Sequence, residues 1–104
     1  MKLTGQPATL TATEHLIMEL LVGGDKKEMY GLELVENSGG KLKRGTVYVL
    51  LDRLEKKGFI EGRTEVVGSD IPRKVYRPTG LGQRVLQAWR KLVALGSERR
   101  GVFA

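Results

Sequence analysis

The side chains of this chain that could do chemistry are mostly cationic and clustered. His15 is the only histidine among the 104 residues, and there is no cysteine. Metal sites and nucleophile–base pairs need several such groups together, so we expect no enzymatic activity, no metal and no cofactor. His15 is expected to be structural or to face solvent. The strongest remaining candidate for a binding surface is the basic stretch 41–44, KLKR.

Charge is distributed unevenly around that stretch. The formal net charge is +6. Residues 1–40 contain three Lys and six Asp or Glu, whereas residues 41–104 contain fifteen Lys or Arg and six Asp or Glu. This asymmetry is typical of a fold in which one part binds a polyanion. Charge alone fits a basic surface that serves solubility equally well.

A two-faced helix is predicted from about Arg44 to Gly58. At about 100° per residue, one compact face is apolar; it comprises Val47, Leu50, Leu51 and Leu54. The opposite face lacks the dense Glu and Lys mixture of an ordinary surface helix; it comprises Gly45, Val49, Asp52 and Lys56, flanked by Thr46 and Arg53. We therefore expect one face to pack and the other to be presented to a partner.

Each residue on the outer side of this helix suits a contact with DNA. Gly45 would let the backbone at the helix N-terminus come close to a phosphate. The hydroxyl groups of Thr46 and Tyr48 can donate to phosphate oxygens. Arg53 can reach a guanine edge or a phosphate, and Val49 can touch a thymine methyl group.

Neighbouring charges support the same interpretation. Lys41, Lys43 and Arg44 supply positive charge just before the helix. Asp52 could accept from a cytosine amino group, but we favour a role in orienting Lys56 four residues on. Taken singly, each of these side chains also fits an ordinary solvated surface. Their concentration on one face after KLKR favours DNA.

Two helices are predicted before this one. Thr11 and Glu14 have the spacing of a capping box at the start of the first helix. The glycine pair at 23–24 is expected to end it. The second helix is expected over about residues 30–37, with the glycine pair at 39–40 as its stop.

A β-hairpin is predicted after the third helix, from FIEGRTEVV and RKVYRP with GSDIP between them. Its basic residues Arg63, Arg73 and Lys74 are candidates for DNA contact. By alternation, Arg73 and Val75 share one face, and Lys74 and Tyr76 share the other. The face that carries Tyr76 is expected to pack inward.

The last helix is predicted to be capped by Thr79 and to extend beyond Leu95. Its apolar stripe is large for one small core, so we expect it to form a homodimer interface with a second copy; packing onto the first helix is the alternative. Trp89 could also line an interface cavity for a small aromatic effector. The predicted interface residues are Val85, Leu86, Trp89, Leu92 and Val93.

These elements predict an α+β, mostly α fold: a winged helix-turn-helix with three helices, a β-hairpin wing and a C-terminal dimerisation helix. The expected organisation is a flexible arm at 1–10, a DNA-binding domain at 11–78, and a dimerisation helix with tail at 79–104. We find no signal peptide or membrane-spanning segment, so we expect a cytoplasmic protein. The third helix and the wing indicate double-stranded DNA as its partner.

RGTVYVLLDRLEKKGFIEGR resembles the signature of PadR-like transcriptional regulators, and YGLEL and RKVYRPTGLGQRVL are similar to further family motifs. The resemblance implies a homodimer that binds a palindromic operator, usually as a repressor. It also implies that residues 43–53 form the recognition helix and that Thr46 and Tyr48 contact the DNA backbone. Some family members sense aromatic compounds.

The chain departs from the family pattern in places. Lys43 and Arg44 stand where the family often has Ser-Pro, so the usual serine cap is missing. Pro78 replaces a frequent leucine, and Thr79-Gly80 lacks the usual acidic residue of the first helical turn.

Two alternative functions remain at this point. A winged helix can serve as a protein-interaction module with no specific DNA site, although such an interface favours more apolar and aromatic residues. Other winged-helix regulators, of the MarR or penicillinase-repressor type, differ in the amount of helix around the wing. A single C-terminal helix suits the PadR-like pattern better.

Overall fold

The computed structural model describes residues 10–24, 28–66, 68 and 71–103, with side chains described as far as residue 95. It confirms a mostly helical fold with a small antiparallel sheet. The predicted arm lies outside the described residues except for Leu10, which is buried in the core. The elements are α1 (Ala12–Gly23), β1 (Met29–Tyr30), α2 (Gly31–Asn37), α3 (Arg44–Lys56), β2 (Ile60–Glu65), β3 (Arg73–Pro78) and α4 (Gly80–Phe103).

The predicted capping box begins α1. The Glu14 amide donates to Thr11 Oγ1 at 3.1 Å, and the Thr11 amide donates to Glu14 Oε1 at 2.9 Å. The same carboxylate accepts from Lys57 Nζ, which lies 3.0 Å from each oxygen. Both side chains are almost completely buried. Because Glu14 lies in the first turn of α1 and Lys57 caps α3, this ion pair joins the two helices.

A tight turn between α2 and α3 sets the direction of the basic stretch. Ser38 Oγ donates to the Val35 carbonyl at 2.8 Å and accepts from the Leu42 amide at 3.0 Å. Gly39 and Gly40 have φ of 65° and 87°, a region that L side chains rarely adopt. Leu42 is buried. The two lysines on either side of it are therefore left exposed.

The sheet has three strands rather than the two predicted, in the order β1-β3-β2, all antiparallel. Tyr76 packs into the core, as expected. Val75 is also buried, on the other face of the sheet, opposite Tyr30 on β1 and Arg63 on β2. The two-residue strand β1 therefore gives β3 a neighbour on each side.

The apolar face predicted for α3 is confirmed, since all four of its residues are buried. Helix α4 packs against α1 and β3 and begins at the predicted cap: Thr79 Oγ1 accepts from the Gly82 amide and donates to the Gly58 carbonyl. A Cβ added at Gly82 would lie 2.0 Å from the Phe59 carbonyl oxygen, so α4 approaches the backbone there very closely. Among the described residues, no helix is long and apolar enough to cross a membrane.

Polar and aromatic contacts hold α4 against α1. Arg90 pairs with Glu19, which also lies 3.0 Å from His15 Nε2. The His15 ring meets Trp89 with centroids 5.5 Å apart and planes tilted by 40°. His15 therefore has a structural place between the two helices. The Arg90 hydrogen bond is the main reason that the pKa of Glu19 is lowered.

Candidate nucleic-acid interface

The outward side of α3 and the turn before it form one exposed surface. Tyr48 and Val49 are 48% and 56% exposed, which is high for large side chains with apolar surface. The other members are also exposed. We call this set the α3 outer surface; it comprises Lys41, Lys43, Arg44, Gly45, Thr46, Tyr48, Val49 and Arg53.

The first turn of α3 is suited to an anion. Lys43 occupies the N-cap position without a side-chain cap, and its carbonyl accepts from the Thr46 and Val47 amides. The missing serine cap therefore does not stop the helix from beginning at Arg44. An uncapped helix N-terminus attracts negative charge, and the adjacent cations add to that attraction.

Gly45 has free space around it on this surface. A Cβ built at Gly45 would have no heavy atom within 4 Å, among those the structure describes. Packing therefore gives no reason for a glycine at this position. A close approach by a partner's backbone gives one.

Tyr48 both packs and remains accessible. Its ring lies across Gly31, the first residue of α2, where an added Cβ would be 2.6 Å from Tyr48 Cε1. The tyrosine therefore packs α3 against α2, while about half of the tyrosine side chain faces solvent. The need for glycine at 31 was missed at the sequence level, because the contact joins residues 17 positions apart.

Charges farther along α3 divide into paired and unpaired groups. Lys56 Nζ lies 3.0 Å from Asp52 Oδ2, so these two residues form an ion pair across one helical turn. Within the part of the chain that the structure describes, Arg53 makes no ion pair and is exposed. Its guanidinium group is thus available to a partner.

The wing, which we define as β2, β3 and the loop between them, has mostly paired cations. The Arg63 guanidinium bonds to Glu28 and Glu65, which raises the pKa of Arg63 and lowers that of Glu28. Lys74 pairs with Glu55 at 3.0 Å. Of the three wing cations predicted to contact DNA, the structure engages two in ion pairs.

Arg73 differs from those two. Its guanidinium carbon lies 5.1 Å from the centroid of the Tyr30 ring, a cation–π distance. The Tyr30 hydroxyl donates to Glu65, and this hydrogen bond raises the pKa of Tyr30. Among the described residues, no carboxylate pairs with Arg73.

The apolar stripe of α4 is divided between the core and the surface. Leu86 is fully buried in the chain's own core, so it has no exposed side chain to offer a partner. Val85 and Trp89 are half-buried. Leu92 and Val93 are 65% and 52% exposed. Among the predicted interface residues, the most exposed are therefore those in the C-terminal part of the stripe.

Outside α3 and the wing, two observations concern other kinds of site. No three His, Asp or Glu residues within the described ranges could hold a metal ion together. An open cleft of about 900 Å³ lies between α1, the sheet and the start of α4. The arginines in its wall, Arg63 and Arg77, already pair with Glu28 and Glu61.

The solved structures that are similar to this chain include the following three. Bacillus subtilis PadR in complex with operator DNA has 26% sequence identity and a TM-score of 0.66; the match covers 75% of this chain and 46% of that one. A PadR family transcriptional regulator from Eggerthella lenta has 30% identity and a TM-score of 0.71, with 88% and 82% covered. A PadR family transcription regulator from Clostridium difficile has 28% identity and a TM-score of 0.73, with 89% and 98% covered.

The chain thus spans a little under half of the Bacillus subtilis protein. The sequence profile described as the transcriptional regulator PadR-like family matches residues 17–88. That range runs from α1 through the α3 outer surface and the wing into α4. The chain belongs to the PadR-like family of transcriptional regulators.

Proposed function

We propose that this protein is a sequence-specific DNA-binding regulator that represses transcription by binding a palindromic operator as a homodimer. The observation that carries the proposal is the start of α3, where unpaired cations surround an uncapped helix N-terminus with an open glycine. The similarity to a PadR structure with bound operator DNA supports it.

The proposed contacts divide α3 by function. Lys41, Lys43 and Arg44 neutralise phosphates, and the helix start at Gly45 receives one phosphate closely. Thr46 donates to a neighbouring phosphate oxygen. These contacts position the protein on the duplex but do not read its sequence.

Sequence is read farther along the same helix. Arg53 is free to form two hydrogen bonds with a guanine edge, and Val49 presents an apolar surface to a thymine methyl group. Tyr48, fixed by its packing on Gly31, holds a phosphate beside them. From the wing we propose Arg73 alone as a phosphate contact.

The homodimer is proposed from the exposed end of the α4 stripe. Leu92, Val93 and Leu95 are each more than half exposed, on a helix that extends to residue 103. A twofold pairing of α4 would bury them and present two copies of α3. Binding to successive major grooves requires those copies to be roughly 34–36 Å apart. The proposal includes no effector site, because Trp89 already packs against His15.

The proposed function is tested by fluorescence anisotropy with a labelled duplex from upstream of the gene for this protein and a scrambled duplex of equal length. Titrations at several salt concentrations would compare the wild type with Arg53→Ala and Thr46→Ala. Lys91→Ala, which removes one exposed cation from α4, is the matched control. We expect selective binding that weakens in both α3 variants and not in the control.

The salt dependence gives a second criterion. With 6–10 phosphates contacted, affinity should fall by about 10³–10⁵ between 50 and 200 mM salt. Equal, weak binding to duplexes covering the whole upstream region, unchanged in the α3 variants, would contradict the proposal and favour a protein-interaction module.

A further inference from the structure

Glu55 joins the recognition helix to both strands of the wing. It lies near the end of α3, and its Oε1 accepts from Lys74 Nζ on β3 at 3.0 Å. Its other oxygen accepts from the Gly62 amide on β2 at 3.3 Å. Because β2 is an edge strand, Glu55 provides an acceptor outside the sheet for this backbone donor.

The residues around this contact direct Lys74 towards α3. Lys74 Nζ lies 5.5 Å from the centroid of the Tyr76 ring, on the face of the sheet that packs against the core. A Cβ added at Gly62 would be 2.7 Å from Lys74 Cε and 3.1 Å from Tyr76 Cε1. The glycine thus leaves room for the lysine to cross β2 and reach Glu55. The hydrogen bond that Lys74 donates to Glu55 is the main cause of the raised pKa of Lys74.

Arg73, one residue earlier, has the opposite arrangement. Successive residues of a strand point to opposite faces, and Arg73 lies over Tyr30 on the face away from α3. To contact a phosphate, Lys74 would first have to leave Glu55, and the vacated carboxylate would repel the incoming phosphate. Arg73 has no such partner to lose among the described residues.

We propose that Glu55 is a positioning residue that fixes the wing relative to the recognition helix, and that Lys74 serves this contact instead of binding a DNA phosphate. The inference rests on the proposed function, since the wing must be held correctly for α3 and Arg73 to contact one duplex together. It changes the role expected for Lys74 from its charge alone.

Four variants test this role: Glu55→Ala, Lys74→Met, the double variant, and Arg73→Met as the control for a true phosphate contact. Operator affinity would be measured against salt concentration for each. Amide hydrogen exchange at Gly62 would be measured by NMR without DNA, and circular dichroism would verify that each variant is folded.

We expect Glu55→Ala and Lys74→Met each to weaken operator binding by roughly 3- to 10-fold. The operator affinity of the double variant should be no lower than that of the single variant that binds less tightly. The salt slope should stay within experimental error of the wild type in all three, whereas Arg73→Met should reduce it by about 1.8, because the dimer then loses two phosphate contacts. Exchange at Gly62 should be faster in Glu55→Ala.

Three results would overturn the inference. A salt slope reduced by about 1.8 in Lys74→Met, with tighter binding by Glu55→Ala, would make Lys74 a phosphate contact released by loss of Glu55. Unchanged exchange at Gly62 would show that Glu55 does not hold β2. A wild type that binds no duplex selectively would overturn the proposed function and the positioning role on DNA together, and Gly62 exchange would still report whether the contact exists.

Discussion

At the scale of single residues, the α3 outer surface is notable for cations that have no ion-pair partner among the described residues. Lys41, Lys43 and Arg53 have no ion-pair partner among the described residues, whereas Lys56 is paired with Asp52. The exposure of Arg53 was predictable from helical periodicity, whereas Lys41 and Lys43 lie before the helix. Pairing was predictable only for Asp52 and Lys56, because these two are four residues apart on one helix.

Gly45→Ala is expected to separate stability from binding. The open space around Gly45 accommodates a methyl group, and alanine in a helix is more stable than glycine by up to about 1 kcal/mol. The same methyl group would obstruct the nearest phosphate and weaken operator binding by roughly tenfold for each protomer, the loss of one charge-assisted hydrogen bond per copy. Chemical denaturation and anisotropy measure the two effects.

Gly23→Ala is the matched control for this substitution. Gly23 is also helical, and a Cβ there would likewise have no described heavy atom within 4 Å. It lies at the end of α1, so the control should keep full DNA affinity. Equal affinity of Gly45→Ala and wild type would show that no phosphate approaches Gly45.

At the scale of elements, local signals were sufficient for the helices and the hairpin. The capping box at Thr11, the glycine stops and the change of period after Gly58 each lie within a few residues of the boundary they mark. Strand β1 was missed because two residues show no alternation and their pairing with β3 spans more than 40 positions. The Glu14–Lys57 ion pair was missed for the same reason of sequence separation.

Gly82→Ala is expected to displace α4. The added Cβ would lie 2.0 Å from a backbone oxygen, which cannot move aside as a flexible side chain can. Overpacking of this kind costs about 1–3 kcal/mol or more of unfolding free energy. Gly80→Ala, in the first turn of the same helix, would meet only Arg84 at 3.7 Å and should be tolerated. Thermal denaturation of both variants makes the comparison, and equal melting temperatures would contradict the close contact.

The Glu14–Lys57 ion pair should make stability depend on pH. Burial raises the pKa of Glu14, but hydrogen bonds from Thr11 and Lys57 and the charge of Lys57 outweigh burial and lower the pKa below the ordinary 4.5. A lowered pKa in the folded state gives stability that is present above pH 4.5 and is lost as the pH falls through the folded-state pKa.

Glu14→Gln should therefore destabilise the protein most at neutral pH. Removing one partner of a buried ion pair costs about 3–5 kcal/mol. The difference from wild type should shrink as the pH falls, because the wild type then loses the same charge. Urea denaturation at a series of pH values measures it, with the exposed Glu36→Gln as control. A difference that stays constant down to pH 3 would contradict the assignment.

At the scale of the whole molecule, operator recognition as proposed requires two copies of the chain. The apolar stripe on α4 was predictable from the spacing of its residues. Which of these residues are buried in the core and which are exposed was not predictable. Leu86 lies beside α1 and is buried, whereas Leu92 and Val93 come later on α4 and remain exposed. Spacing along one helix does not show where the neighbouring helix stops.

Leu92→Glu is expected to convert the dimer to a monomer, because a buried interface cannot accommodate an unpaired carboxylate without a large cost. Sedimentation equilibrium should give about twice the chain mass of 11.5 kDa for wild type and one chain mass for the variant. Gln87→Glu, which adds the same charge at another exposed position on α4, should remain dimeric. A monomeric wild type would contradict the proposed dimer.

The most direct test of DNA recognition by α3 is NMR mapping of backbone amides as isotope-labelled protein is titrated with the selective duplex. We expect the largest selective changes at residues 41–49 and at Arg53, and we expect these changes to be absent with the scrambled duplex. Changes confined to α4 or to the cleft between α1 and the sheet would contradict this expectation, since the duplex would then contact a surface other than α3.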